Sequence, residues 1–323
     1  MGEVQEEKIV KKGKSLQEIH VMVDRMCEAL ERCELCPRRC GVNRLAGETG
    51  YCRTGRLAKM YAFFPHYGEE PPISGTRGSG TLFFSHCNLR CVYCQNHRFS
   101  QEGQGREVEA PELANLMLRL QEKGCHNINL VTPTHVLPQI LQALYLAMKQ
   151  GLSLPLVYNT SGYELPETLS MIHGVVDIYL ADMRYDDPEK ALRFSEAADY
   201  PQWNRLAVKE MHRQVGILCQ NEDEIATQGL IVRHLVLPEG ISGFQGIARF
   251  LAREISTQTH VSLMGQYAPY YLAPKIPELS RPLHSEEYDE AYDCLRKEGL
   301  YQGWVQDLGC SEDLAGVNIP ETH

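Results

Sequence analysis

Downstream of residue 80 the chain alternates six short apolar runs with stretches of helical period. The runs are TLFFS at 81–85, INLVT at 128–132, LPLVYN at 154–159, VVDIYLA at 175–181, LIVRHLVL at 230–237 and HVSLM at 260–264. Apolar runs of this length, bounded by turn residues, read as strands. Between the first two, Leu113, Leu116, Met117 and Leu120 share one helical face, with Pro111 suited to the first turn and Gly124 to the stop. Residues 135–150 read as a second helix ending at Gly151, and Ser242 and Ser285 are N-cap candidates for two later ones. Strand–helix alternation on this scale implies parallel strands joined by right-handed crossovers. Six units are too few for an eight-unit barrel, so the expected class is α/β: a partial parallel (β/α)6 TIM-like barrel over 80–305.

Upstream, Leu16, Ile19, Val23, Met26 and Leu30 recur at steps of three and four, predicting an amphipathic helix packed on the main domain. GEEPPISGTRGSG at 68–80 reads as loop, and the domain boundary is expected there. Residues 1–79 then form an N-terminal helix and a small Cys-rich metal-binding module, and 306–323 a C-terminal tail with no legible signal. The charged start MGEVQEEKIVKKGK lacks the apolar core of a secretory signal, Gly2 lacks the Ser or Thr of a myristoylation signal, and no apolar run approaches the roughly 18 residues of a membrane span. The expected location is the cytoplasm, with no membrane partner.

Seven of the 12 cysteines fall in two clusters, an arrangement that points to metal rather than to disulfides. Cys27, Cys125, Cys219, Cys294 and Cys310 stand apart and read as small buried hydrophobes. In the loop after the first strand, His86-Cys87-Asn88-Leu89-Arg90-Cys91-Val92-Tyr93-Cys94-Gln95-Asn96, the spacing is x3 then x2. Three thiolates on one short loop can wrap one face of an iron–sulfur cube, whereas ordinary four-iron clusters take four cysteines. The next cysteine is Cys125, which leaves one iron open to substrate or cofactor, as catalytic zinc sites keep an open position. A zinc knuckle completed by His86 or His97 is the alternative. The earlier cluster, Cys33-x2-Cys36-x3-Cys40-x11-Cys52, places four soft ligands within 20 residues and suits zinc or an auxiliary iron–sulfur cluster equally.

A Cys-x3-Cys-x2-Cys loop with an aromatic before its last cysteine, at the end of the first strand of a partial barrel, resembles the radical S-adenosylmethionine (radical SAM) superfamily. The resemblance implies a 4Fe-4S cluster on Cys87, Cys91 and Cys94 whose open iron chelates S-adenosylmethionine. Reductive cleavage then yields a 5'-deoxyadenosyl radical that abstracts hydrogen. It places Tyr93 near the adenine, where the other reading is a packed aromatic. Thr132-Pro133-Thr134 stands where many members have Gly-Gly-Glu, so Thr134 either accepts a bond from the methionine amino group or caps the following helix. Asn159-Thr160-Ser161-Gly162-Tyr163 resembles the turn by which glycyl-radical-enzyme activases approach the ribose and methionine, or is a plain turn. Asp182-Met183-Arg184 resembles the activases' Asp-x-Lys segment; it makes Asp182 and Arg184 catalytic candidates, Arg184 facing the cofactor carboxylate, against a structural ion pair. Arg233 and His234 are costly within an apolar strand unless paired; Arg233 is taken as a cofactor contact and His234 as a satisfied core histidine. Gln266 and Tyr267 either touch cofactor or pack.

The whole combination resembles the iron–sulfur proteins that carry the name pyruvate formate-lyase activating enzyme by similarity. That implies hydrogen abstraction from a glycine of a partner protein; this chain holds no Arg-Val-x-Gly-Tyr segment of its own. Radical modification of RNA or of a small metabolite, and a non-enzymatic iron–sulfur or zinc protein, are the competing readings. A net charge of -10 disfavours nucleic acid. Residues 32–59 nevertheless carry seven basic side chains against two acidic. Arg38, Arg39, Arg44, Arg53 and Arg56 could there guide an acidic electron donor such as flavodoxin or ferredoxin, the other reading being solvated charge.

Overall fold

The computed structural model describes residues 9–11 and 14–306. Gly2, most of the charged start, Cys310 and positions 307–323 of the expected tail lie outside the described residues. The main sheet is built from β1 (Ala58–His66), β2 (Ser79–Phe84), β3 (Arg106–Val108), β4 (Ile128–Val131), β5 (Leu156–Thr160), β6 (Ile178–Asp182), β7 (Ala226–Leu235), β8 (His260–Met264) and β9 (Gly303–Val305). Its spatial order is β9-β8-β7-β6-β5-β4-β2-β1-β3. From β2 to β9 every neighbouring pair is parallel, so all six apolar runs of the sequence enter one parallel sheet in chain order. Burial on both faces explains their unbroken hydrophobicity. β9 adds a seventh parallel strand too short to leave a sequence signal.

The boundary expected at residue 80 does not separate two bodies. β1 pairs antiparallel with β2, His66 opposite Ser79, so residues 58–66 belong to the barrel sheet. Nor is 68–80 a bare linker. Its short helix Pro71–Ser74 lies at the N-terminal end of the parallel strands, where Ile73 is fully buried against Val157, Ile178, Leu180 and Ile231. Asn127 Nδ2 donates to Ile73 O at 2.8 Å and ties the segment to the start of β4.

The first helix, α1 (Leu16–Glu28), opens on a reciprocal capping box between Ser15 and Glu18 and buries Ile19, Val23 and Met26. That face packs on α2 (Leu137–Lys149), the crossover between β4 and β5. Two N-cap expectations are corrected. Gly243 at φ 66° precedes the helix Phe244–Phe250 in place of Ser242, and His284 precedes Ser285–Lys297, making Ser285 the first helical residue. Of the scattered cysteines Cys125 is buried, Cys27 and Cys294 are half-buried, and Cys219 is exposed on a short edge strand, against expectation. Among the described residues no helix is long and apolar enough to cross a membrane.

Candidate functional site

All parallel strands deliver their C-terminal ends to one side, the side that carries function in barrels of this kind. The chain leaves β2 there through His86, whose φ of 72° turns it sharply. The cysteine loop that follows is held mainly by backbone bonds: His86 N–H to Phe99 O, Val92 N–H to Phe194 O and Leu272 N–H to Val92 O, each 2.9 Å. Asn88 Nδ2 donates to Tyr163 O at 2.8 Å, fastening the loop to the turn after β5. Cys87, Cys91 and Cys94 thereby line one wall of a cleft of about 490 Å³, and Ser161, Asp182 and Arg184 line it from the ends of β5 and β6.

Burial pushes the Cys87 thiol up to about 12 and raises Cys94 as well, so these two thiols hold their protons when unligated. Donors are already aimed at the sulfurs. Leu89 N–H points at Cys87 Sγ at 3.4 Å, Ser195 Oγ donates to Cys91 Sγ at 3.0 Å, and Arg184 Nη1 reaches Cys91 Sγ at 3.6 Å. Such contacts disperse the negative charge a thiolate acquires on binding metal. Three thiols in one cleft wall fit a cluster with an open iron. Neither imidazole turns to complete a zinc knuckle: the His86 ring packs on Gly103, and His97 stacks on Tyr271 at 5.2 Å.

Arg184 forms an ion pair with Asp182, their side chains 24% and 16% exposed. Burial opposes its charge, yet Asp182 and Cys91 outweigh that and hold the guanidinium charged. Among the buried polar atoms of cleft-lining residues that lack a protein partner are Arg184 Nε and Ser161 Oγ. An anionic or hydroxyl-bearing ligand would satisfy both, which fits the carboxylate and ribose of S-adenosylmethionine. Tyr93 is buried beside them, its hydroxyl accepting from Tyr185 at 2.8 Å and its ring edge-on to Tyr185 and Tyr267. Tyr267 is spent on Leu279 O at 2.6 Å, while Gln266 borders the cleft.

Of the expected cofactor contacts, Thr134 is corrected, while Thr160, Asn159 and Arg233 line the cleft with partners already inside the protein. Thr134 lies off the cleft, in the 3-10 turn Thr134–Val136 beneath the N-terminal cysteines; its hydroxyl donates to Glu164 at 2.5 Å and Val136, not Thr134, caps α2. Thr160 borders the cleft, but its hydroxyl also donates to Glu164. Arg233 lines the cleft but spends four of its five N–H donors within the protein: Nε and Nη2 bond Glu70, Nη2 also bonds Glu69, and Nη1 reaches Asn159 Oδ1 at 3.3 Å. Asn159 in turn donates to Glu69 at 3.3 Å, so it too serves this cluster. His234 is a core histidine, as expected, its Nδ1 bonded to Met183 O at 2.7 Å beneath Phe244, but its buried Nε2 has no partner among the described residues.

Sequence reasoning missed Glu69, Glu70 and Glu164. The first two arrive on the segment read as linker, and the cue was Arg233 itself, since a cation in an apolar strand needs a buried acid. Glu164 had no cue. Fully enclosed, its carboxyl is pushed up to about 7 by burial, which the donating hydroxyls of Thr134, Thr160 and Tyr158 only partly offset.

Cys33, Cys36, Cys40 and Cys52 line one small cavity with Thr134 and His135. Tyr51 N–H donates to Cys40 Sγ at 3.3 Å and Arg44 Nη1 approaches Cys33 Sγ at 3.8 Å, so this donor set also fits a thiolate-bound metal group. Several of the basic residues nearby are held within the protein. Arg44 is 1% exposed and bonds Gly55 O, Arg38 stacks on Tyr51, Arg53 bonds Gln101 O and Arg56 pairs with Glu109. Exposed Arg39 lies over the Trp203 ring. Of the five arginines assigned to a docking partner, Arg38 and Arg44 are drawn inward, which composition does not register, while Arg39, Arg53 and Arg56 remain exposed.

Comparison with known proteins adds the following. The family model described as the radical SAM superfamily matches residues 81–213, from β2 through the cysteine loop and Arg184. An uncharacterized protein of Methanocaldococcus jannaschii, MJ0674, is 30% identical over 280 residues, covering 84% of this chain and 76% of its own length. Among solved structures, Streptococcus suis SuiB bound to precursor peptide SuiA aligns at 10% identity and TM-score 0.44, over 66% of this chain and 45% of SuiB. The FeFe-hydrogenase maturase HydG from Carboxydothermus hydrogenoformans aligns at 15% identity and TM-score 0.48, over 90% of this chain and 70% of HydG. This chain thus spans less than half the length of SuiB. With the cysteine triplet inside the matched segment, at the cleft end of the first parallel strand, the chain belongs to the radical SAM superfamily.

Proposed function

We propose that Cys87, Cys91 and Cys94 hold a 4Fe-4S cluster, that S-adenosylmethionine occupies the adjoining cleft, and that the protein abstracts hydrogen from a partner protein, as glycyl-radical activases do from glycine. The observation that carries this reading is the convergence of all three thiols on one cleft that also contains Ser161, Asp182 and Arg184. Bound together, cluster and cofactor supply a 5'-deoxyadenosyl radical on one-electron reduction. The chain's own residues do the rest. Arg184, held charged by Asp182, keeps a cation beside Cys91 and offers its free Nε to a carboxylate. Ser161 Oγ offers a bond to a hydroxyl. Leu89, Tyr93 and Tyr267, all buried, keep water from the loop side of the cleft.

A macromolecular substrate is supported by where the cleft opens. It runs out to the edge strand β9, where Val305 is 46% exposed, instead of closing over a small molecule. Cys33, Cys36, Cys40 and Cys52 are assigned a second metal group, zinc or iron–sulfur. The test uses anaerobically reconstituted, dithionite-reduced protein. 5'-Deoxyadenosine is quantified for the native chain and for Cys91→Ala, with iron, sulfide and zinc counted in the same samples. Product from the native chain that vanishes in the variant supports the reading; failure of the triad to load a cluster under any condition refutes it.

A further inference from the structure

The two cysteine sets meet at one side chain. Tyr51 precedes Cys52, and its amide N–H donates to Cys40 Sγ at 3.3 Å, so it is built into the four-cysteine module. Its carbonyl accepts from Arg90 Nη2. Two guanidinium groups contact its ring, Arg38 at 3.7 Å and Arg90 at 4.5 Å from the centroid, and its hydroxyl donates to Glu196 Oε2 at 2.8 Å. Arg90 belongs to the triad loop, lying between Cys87 and Cys91. Its Nη1 donates to Cys87 O at 3.1 Å and Leu89 O at 3.3 Å, and its backbone N–H bonds Ser195 O, whose residue's hydroxyl donates to Cys91 Sγ. Arg38 Nε in turn donates to Asn88 O at 3.0 Å. Both arginines that grip Tyr51 therefore also grip carbonyls of residues 87–89.

We propose that Tyr51 is a positioning residue: it transmits the conformation of the four-cysteine module to the triad loop, so that a metal on Cys33, Cys36, Cys40 and Cys52 sets the environment of whatever Cys87, Cys91 and Cys94 hold. The physical case is one of rigidity. Two cation–aromatic contacts on one ring hold only with the ring fixed against both cations, and the ring's backbone is fixed by bonds to Cys40 and Arg90. Closing four thiols on a metal constrains residues 50–52 and hence these contacts. Displacing Arg90 frees two loop carbonyls and moves a permanent positive charge relative to the triad sulfurs. The inference rests on the reading that both cysteine sets bind metal, and the first arm of its test does not require the triad to be loaded.

In the full-length chain, the alkylation rates of Cys87, Cys91 and Cys94 are measured by mass spectrometry for native protein, Tyr51→Leu, Tyr51→Phe and Arg38→Gln, before and after reconstitution. The midpoint potential and electron paramagnetic resonance signal of the reduced cluster form the second arm. Tyr51→Leu should speed triad alkylation by about tenfold, the loss of a partly desolvated cation–aromatic contact. It should also shift the potential while the overall unfolding midpoint holds. Tyr51→Phe, which keeps the ring and both backbone bonds, should restore native behaviour. Arg38→Gln, which removes one of the two contacts and leaves Tyr51 in place, should fall between and serves if the leucine variant does not fold. Native rates and potential in Tyr51→Leu, or equal damage in Tyr51→Phe, overturn the proposal. A native chain that loads no cluster on the triad would sink the proposed function instead, and the alkylation rates would still decide for or against the brace.

Discussion

Arg233→Met should destabilise the protein by about 3–5 kcal/mol at neutral pH, the cost of breaking a buried ion cluster from one side. The side chains of Arg233, Glu69 and Glu70 are 14%, 7% and 5% exposed. Each carboxylate–guanidinium contact is worth about 4 kcal/mol of attraction at the effective dielectric of such a site, much of it offset by desolvation. The substitution removes both attractions and leaves the desolvation in place. Glu69 keeps its bonds from Asn129 and Asn159, at 2.9 and 3.3 Å, but Glu70 loses its guanidinium partner outright. Urea unfolding at pH 5 and pH 7.5 measures the effect. In the native chain burial would raise the Glu70 carboxyl, but Arg233 wins and lowers it. Its contribution is therefore present above the ordinary carboxylate range and lost only as pH falls through the lowered value. Without Arg233 desolvation is opposed only by a backbone bond and the Ser262 hydroxyl, the carboxyl rises, and the variant should lose further stability relative to native as pH climbs from 5 to 7.5. A loss below about 1 kcal/mol, or an unchanged pH dependence relative to native, would refute the reasoning.

Glu164, at about 7 in the folded chain against an ordinary 4.5, binds its proton more tightly folded than unfolded, so native stability should fall by about 3 kcal/mol as pH rises across that window. Glu164→Gln should flatten the slope in urea midpoints taken from pH 5 to 8; the native slope persisting in the variant would remove Glu164 as its source. At Gly50 an added Cβ would sit 2.7 Å from both Cβ and Sγ of Cys40. Gly50→Ala should therefore drive Cys40 aside and lower the metal content assigned to the N-terminal cysteines while Cys87, Cys91 and Cys94 keep theirs, read by metal analysis of the variant beside native protein.

What was legible in the sequence was local. Six strands could be read because burial on both faces leaves an unbroken apolar run, and α1 because one buried face repeats every three to four residues. The cysteine loop was legible because three ligands for one group sit within eight residues, a separation that backbone geometry already constrains. Asp182 and Arg184, two residues apart at a strand end, were found for the same reason, and the structure pairs them.

What tertiary structure alone decided joins residues far apart in the chain. Arg233 had a legible need for a partner but no legible identity for it, because Glu69 and Glu70 lie 164 and 163 positions away on a segment whose Pro and Gly content reads as linker. Thr134 sat at the right sequence offset for a cofactor contact, yet Glu164 and the four-cysteine module claim it. Arg38 and Arg44 counted as surface charge until carbonyls, a ring and a thiol were seen to hold them. Periodicity and motif spacing determine which elements form and which ligands travel together. Which polar groups neutralise one another in the interior is settled only when the strands assemble, because desolvation makes every buried charge find a partner wherever in the chain that partner lies.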